Sequence, residues 1–347
     1  METILVTGGT GLVGRGIQLA LERMKENGKR ENENWVFLSS KDCDLLDREA
    51  SRAVFEKYKP AYVIHLAAKV GGLFNNMAHK VEFYNDNIIM NMNVMELCRE
   101  FKVKKLISCL STCIFPDKTT YPIDETMIHT GPPHYSNEGY AYAKRMIEVM
   151  DRLYAEEYGC HFTAIVPTNI YGPYDNYEIE GGHVVPGLIH KFYKAKQTGE
   201  PVCVWGSGKP LRQFIYNVDM GELIVWVLRE YEEIAPIILS VGEDEEVSIG
   251  DVVNYIADAI DYHNIEYDHT KADGQFKKTA SNAKLRKYLP DFKFTPMKEG
   301  IKETVDWFVA NYDTARKWIV CFSNFHTTLN RKRISCRASL IALWERR

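Results

Sequence analysis

No stretch of this 347-residue chain approaches the roughly 18 consecutive apolar residues that a membrane-spanning helix needs. Neither sign of charge dominates: 43 Lys and Arg stand against 47 Asp and Glu, a net charge of −4. That balance argues against a global field for nucleic acid or for a membrane surface, so neither partner is expected. The N-terminus lacks the charged start, apolar run and cleavage site of a secretory signal and enters a β-branched run at once. The eight cysteines, at 43, 98, 109, 113, 160, 203, 321 and 336, form no Cys-x-x-Cys pair and show no zinc-site spacing with histidine. No metal site is therefore expected, and the cysteines read as reduced thiols of a cytoplasmic protein. Internal repeats and low-complexity tracts are also missing, which excludes solenoids.

What is present is an alternation of short apolar runs and amphipathic stretches. Strands are predicted at Thr3–Thr7, Trp35–Ser39, Tyr62–Leu66, Lys105–Leu110 and Phe162–Val166. Helices are predicted at Leu12–Lys25, Arg48–Lys57, His79–Glu100 and Gly139–Tyr158. Repeated βα units of this size imply an α/β fold with a Rossmann-type, doubly wound parallel sheet. Past Pro167 the alternation breaks down, and Tyr171–Gly182, rich in Gly, Asn, Pro and acids, reads as a loop. We expect residues 1–170 to form the dinucleotide-binding domain with the catalytic residues. Residues 171–317 should form a smaller substrate-binding lobe, with part of its chain returning to the main sheet. Residues 318–347 carry Arg331, Lys332, Arg333, Arg337, Arg346 and Arg347 against one acid, Glu345. This tail is expected to be poorly ordered rather than a nucleic-acid or lipid binder.

Thr7-Gly8-Gly9-Thr10-Gly11-Leu12-Val13-Gly14 joins the first strand to the first helix. Glycines there permit a tight turn and close approach of a pyrophosphate, which the helix N-terminus then stabilises. The strand-before, helix-after context makes this a dinucleotide site. At the tip of the second strand, where NAD proteins usually place an acid, the chain reads Ser39-Ser40-Lys41. Hydroxyls and an ammonium suit a 2′-phosphate, so NADP is expected. Asp44 and Leu45 border the adenine in this reading, and small Ala67 and Ala68 let the cofactor pass. His65 reads equally well as a satisfied core histidine or a functional one.

Ser111 follows a strand, and Tyr140 and Lys144 lie four residues apart on one helical face. A serine polarising a ketone, a phenol exchanging a proton and an ammonium lowering the phenol's pKa make a hydride-delivery site. Cys113 adds a second acid/base group that a plain ketone reductase does not need. The combination suggests a sugar nucleotide that is both epimerised and reduced.

Together these residues resemble the catalytic set of the extended short-chain dehydrogenase/reductases, over roughly residues 1–317. Leu110-Ser111-Thr112-Cys113-Ile114-Phe115-Pro116 is similar to the motif of the GDP-L-fucose synthase family, the GDP-4-keto-6-deoxy-D-mannose 3,5-epimerase-4-reductases. So are Val70-Gly71-Gly72, Pro167-Thr168-Asn169-Ile170-Tyr171-Gly172-Pro173, Gly182-His183-Val184-Val185-Pro186, Val204-Trp205-Gly206, Arg212-Gln213-Phe214 and Asp273-Gly274-Gln275-Phe276-Lys277-Lys278. The match is close to the animal enzymes, and the tail departs from it. Nucleotide-sugar 4,6-dehydratases carry Asp-Glu where this chain has Cys113 and Ile114, and Ile114 cannot move a proton.

The resemblance implies NADPH as reductant and GDP-4-keto-6-deoxy-D-mannose as substrate. It assigns Cys113 as base and His183 as acid for the inversions at C3 and C5, and a ribose contact to Lys144. Pro167, Thr168, Asn169, Ile170 and His183 join the cofactor residues. Lys191 and Arg212 are expected on the diphosphate, Trp205 on the nucleotide or sugar, Asp273 on guanine or ribose, and Asn169 near the sugar. By analogy of fold, the helix bearing Tyr140 and the one around 79–100 pair two copies into a homodimer. The alternatives are a 4-epimerase or 4-ketoreductase of the same fold, or a cofactor-binding sensor without catalysis.

Overall fold

The structure, a computed structural model, describes residues 1–26, 32–179, 182–271 and 278–317. Its first half runs β1 (Glu2–Thr7), α1 (Leu12–Glu26), β2 (Glu33–Phe37), α2 (Arg48–Tyr58), β3 (Tyr62–His65), α3 (Leu73–Ala78), α4 (Lys80–Glu100), β4 (Lys105–Cys109), α5 (Glu138–Tyr158), β5 (Phe162–Pro167) and β6 (Asn169–Tyr171). The second half runs α6 (Val184–Thr198), β7 (Val202–Trp205), β8 (Leu211–Arg212), β9 (Phe214–Tyr216), α7 (Asn217–Glu230), β10 (Ile237–Leu239), β11 (Val247–Ser248), α8 (Ile249–Ile260), β12 (Ile265–Asp268), α9 (Ala283–Tyr288) and α10 (Met297–Ala310). The predicted helices and strands of the first half are all present, with ends displaced by one or two residues. The exception is the stretch before α4, where a separate short helix, α3, precedes it.

Six strands form the main sheet in the order β10-β5-β4-β3-β1-β2, all parallel. This is the doubly wound α/β architecture expected. Side chains alternate along β1 and feed two different cores. Ile4 and Val6 pack with Ile17, Leu21, Ile107 and the α7 residues Leu223 and Ile224. Leu5 packs on the opposite face with Phe55, Val94, Leu97 and Leu106. Each such side chain contributes about 1.5–3 kcal/mol by leaving water. Helices α1 and α7 pack backbone to backbone: a Cβ on Gly221 would lie 2.4 Å from the Gly16 carbonyl oxygen. Buried Lys105 on β4 donates to Val227 O (2.7 Å) and Tyr231 O, neutralising the C-terminal end of α7. A third core, around Phe192, Val204, Ile256, Ile301 and Phe308, unites α6, β7, α8 and α10.

Asp151 on α5 is an anomaly in this packing. Its side chain is buried, and neither carboxyl oxygen has a hydrogen-bond partner among the described residues. Burial pushes its pKa well above the ordinary carboxylate value, and Glu148 adds to the shift. The folded state therefore binds this proton more tightly than the unfolded chain. Stability is complete below the unfolded pKa and falls as pH rises above it. Asp151→Asn cannot ionise, so its Tm should exceed the native one at pH 7 by about 2–4 °C. That advantage should vanish near pH 4, and a pH-independent difference in thermal unfolding would refute the account.

Candidate active site

β1 delivers the glycine loop to the start of α1. Gly8 has φ +66°, and a Cβ there would sit 2.8 Å from the Ala67 amide nitrogen. At Gly14 a Cβ would lie 2.5 Å from Gly9 O, and Gln18 holds that same oxygen through Nε2 at 2.7 Å. The loop is therefore a backbone-lined cradle closed by Ala67. Leu12 and Val13 open the helix, and first-turn amides have no acceptor within their own helix. Thr10 lies exposed beside them. Thr168, just past β5, has a buried hydroxyl oxygen without a partner among the described residues. A cradle that tolerates no side chain, together with an orphaned buried hydroxyl, fits a bound dinucleotide.

Beyond β2, Ser39, Ser40 and Lys41 lie at the strand tip, with Ser40 and Lys41 exposed. Asp42 takes hydrogen bonds from the Ser39 amide (2.7 Å) and hydroxyl (2.6 Å), which hold its carboxyl below the usual range. Asp44 is turned back onto the Leu46 amide, and the Leu45 carbonyl accepts from Asn93. His65 belongs to the core: its Nδ1 meets the Thr7 hydroxyl at 2.8 Å and its Nε2 the Asn91 carbonyl oxygen at 3.1 Å. Asn91 presents an acceptor, so Nε2 carries the hydrogen and Nδ1 accepts from Thr7. Burial, assisted by Lys144, holds its pKa down to about 3, and it stays neutral.

The reacting residues meet where β4 ends. Ser111 caps a single 3-10 turn, Thr112–Ile114, and its hydroxyl accepts from the Cys113 amide at 3.4 Å. Helix α5 is tethered to this turn at two points. Lys144 Nζ donates to Cys109 O at 2.8 Å, and buried Arg145 donates through Nε to Ile114 O at 2.9 Å. Burial pushes the Tyr140 phenol well above its ordinary pKa, and Cys113 and Cys109 push it further. The expectation that Lys144 pulls the phenol down is thus corrected: burial and the two thiols set the direction, which is upward, and Tyr140 is a protonated donor. Lys144 is itself lowered by burial. Half-buried Cys113 is raised by burial, while the Ser111 hydroxyl and the Lys278 and Lys144 ammonium groups oppose that shift.

His183 is the N-cap residue of α6, with its side chain 79% exposed and Nδ1 4.0 Å from Asp175 Oδ1. Pro167 ends β5, and Asn169 and Ile170 begin β6, where the Asn169 side chain donates through Nδ2 to Gln213 O at 2.9 Å. Lys191 stands over the Trp205 ring, 4.1 Å from its centroid, and donates to Cys203 O. Trp205 is half exposed. Arg212 on β8 donates to Leu211 O, and burial lowers its pKa against the opposing pull of Glu246 and Tyr121. Asp273 and residues 318–347 lie outside the described residues. The sequence reading gave no role to Lys278 or Asp175. Burial lowers the Lys278 ammonium; Cys113 opposes this, Arg212 adds to it and Asp117 opposes it. Lys278 ends the family-like stretch Asp273–Lys278, but the stretch itself does not give the neighbour of its ammonium, and Asp175 follows no periodicity or motif rule.

A family model described as the NAD dependent epimerase/dehydratase family matches residues 4–242. A GDP-L-fucose synthase of Dictyostelium discoideum is 60% identical over 317 residues, 91% of this chain and 98% of the relative. A probable GDP-L-fucose synthase of Drosophila melanogaster is 50% identical over 91% of this chain and all of the relative. A crystal structure of a GDP-L-fucose synthetase from Naegleria fowleri bound to NADP superposes with a TM-score of 0.86. It is 53% identical and covers 91% of this chain and 95% of that one. The chain belongs to the NAD dependent epimerase/dehydratase family and, within it, to the GDP-L-fucose synthases.

Proposed function

We propose that this enzyme converts GDP-4-keto-6-deoxy-D-mannose to GDP-L-fucose by inverting C3 and C5 and then reducing the C4 ketone. The observation that carries the reading is the placement of the Cys113 thiol beside the Tyr140 phenol and the Lys144 ammonium. A ketone at C4 acidifies the hydrogens on C3 and C5. Cys113 removes such a proton, and the resulting charge rests on O4, where Ser111 and Tyr140 donate hydrogen bonds. His183 returns a proton from the opposite face, which inverts the carbon. NADPH, when bound, supplies the hydride for C4. Tyr140 then gives its phenolic proton to O4, and Lys144 holds the tyrosine and the nicotinamide ribose in register.

The residues that hold the cofactor are Gly8, Gly9, Thr10, Gly11, Leu12, Val13 and Gly14 at the pyrophosphate, Ser39, Ser40 and Lys41 at the 2′-phosphate, and Asp44 and Leu45 at the adenine. Ala67, Ala68, Pro167, Thr168, Asn169, Ile170 and His183 line its further course. Lys191, Trp205, Arg212, Asn169 and Asp273 hold the GDP-sugar. Lys41→Ala should raise the KM for NADPH about ten-fold and leave that for NADH within about two-fold. Equal changes for both would remove Lys41 from the phosphate site.

Residues 1–170 are assigned as the cofactor domain and 171–317 as mainly the substrate lobe, a division supported by the separate core around Phe192 and Phe308. β10 of the later stretch pairs with β5. The assembly is assigned as a homodimer through α4 and α5, on the strength of exposed Val81, Tyr84, Ile89 and Met92 on one and Leu153 on the other. A monomeric mass in solution would sink that assignment. No helix among the described residues is long and apolar enough to cross a membrane. The six described cysteines are free thiols, which supports a cytoplasmic setting.

The decisive experiment is incubation with GDP-4-keto-6-deoxy-D-mannose and NADPH, followed by NMR of the product sugar. Inverted C3 and C5 with one NADPH consumed per product is the expected result. Retained configuration would indicate a simple ketoreductase, and turnover without NADPH consumption a 4-epimerase.

A further inference from the structure

Gly172 to Glu178 form an unusually constrained loop between β6 and α6. The Pro173 carbonyl accepts from Asn217 Nδ2 at 3.0 Å, the Tyr177 hydroxyl donates to Gly172 O at 3.3 Å, and the Tyr177 amide donates to Arg316 O at 2.7 Å. Tyr174 has φ +69°, a left-handed conformation that a bulky side chain adopts only under restraint. Its ring supplies that restraint, packed against Trp307 at a tilt of 47° with the centroids 4.5 Å apart, and lying under the Arg15 guanidinium at 4.9 Å. The outcome of all this fixing is to drive the next residue, Asp175, inward. Asp175 is 4% exposed. One carboxyl oxygen, Oδ1, takes the Asn176 amide at 2.7 Å and stands 4.0 Å from His183 Nδ1. The other, Oδ2, is buried with no partner among the described residues.

A buried carboxylate oxygen left unpaired costs free energy, about 1–3 kcal/mol for a typical polar group and more for a charged one. The groups that face this carboxyl are His183, Arg316 and the Tyr177 phenol. Of these, His183 is the one that the reaction requires to gain and lose a proton. We infer that Asp175 is the positioning residue of His183, receiving the Nδ1 hydrogen so that Nε2 is aimed at the sugar as the proton donor. The inference rests on the role given to His183 above.

The proton balance is complete without any further reagent. The Cys113 thiolate takes the proton from C3 or C5 and becomes a thiol. The His183 imidazolium gives its Nε2 proton to the opposite face and becomes neutral imidazole, with its remaining hydrogen on Nδ1 against Asp175. A carboxylate at Nδ1 favours the imidazolium before transfer and the correct tautomer after it. Burial raises the Asp175 carboxyl, while His183, the Asn176 amide and Arg316 oppose that shift.

The test is deuterium incorporation at C3 and C5 of GDP-4-keto-6-deoxy-D-mannose in D2O, with the NADP-loaded enzyme. Native enzyme without any exchange would overturn the function proposed above, and this inference with it. Given native exchange, Asp175→Asn should slow it by at least about ten-fold. The loss should fall on the maximal exchange rate and leave the KM for the sugar nucleotide within about two-fold of native. NADPH affinity should be unchanged, and Asp175→Glu should recover part of the exchange rate. In a His183→Gln background, Asp175→Asn should cost little more, since it acts through that imidazole. A native exchange rate in Asp175→Asn, or full additivity of the two substitutions, would overturn the inference. Should the amide variant not fold, nitrogen NMR of the His183 ring in native enzyme with NADP and GDP-L-fucose bound decides. A hydrogen-bonded Nδ1–H supports the pairing, and an Nε2–H tautomer refutes it.

Discussion

Cys113→Ser lowers solvent-deuterium exchange at C3 and C5 by about a thousand-fold and leaves NADPH affinity at the native level. That factor corresponds to about 4 kcal/mol of barrier. A serine hydroxyl at this turn has the same hydrogen-bond partners as the thiol but holds its proton far more tightly, so it cannot act as the base. The environment shows how finely the thiol is set. Burial raises it, and the Ser111 hydroxyl with the Lys278 and Lys144 ammonium groups pulls it back. A base whose pKa lies above the ordinary thiol value is ionised in a growing fraction as pH rises. Exchange by the native enzyme should therefore climb through the neutral and alkaline range, and the serine variant should lose that limb. Exchange at the native rate in Cys113→Ser would remove the thiol from the mechanism, and the site would reduce to a ketone reductase.

The sheet, the glycine loop and the Tyr140–Lys144 pair were legible because each rests on a local rule. Alternating βα units, a strand-loop-helix transition at Thr7–Gly14, and four-residue spacing on one helix are all visible in a short window of sequence. The electrostatics at Tyr140 were not legible. Sequence spacing puts an ammonium one turn away, but it does not say that the Lys144 Nζ is spent on Cys109 O or that the phenol is buried. The same limit applies at the cofactor tip, where the fold ties the Ser39 hydroxyl to Asp42. Lys278 comes from a segment distant from Cys113, and Asp175 is turned toward His183 by the conformation of the loop that precedes α6. A residue whose role depends on what lies across a cleft leaves no periodic trace in the chain.

Tyr140→Phe should lower the rate of C4 reduction by about a thousand-fold while exchange at C3 and C5 falls by about a hundred-fold at most. The two steps use the phenol differently. During enolisation it is one of two hydrogen-bond donors to O4, and Ser111 remains when it is lost. During reduction it is the source of the proton that O4 must receive, and the serine hydroxyl, far less acidic than a phenol, is a poor substitute for it. Burial keeps the native phenol protonated well past its ordinary range, so reduction should hold its rate into alkaline pH instead of falling near pH 10. The cleanest measurement runs the last step backwards, following NADPH formation from GDP-L-fucose and NADP. There Tyr140→Phe should be slowed by the full factor, while Cys113→Ser forms its first equivalent of NADPH at the native rate. That crossed pattern separates proton transfer at carbon from proton transfer at oxygen. A Tyr140→Phe enzyme that reduces C4 within ten-fold of the native rate would assign the oxygen's proton to another donor.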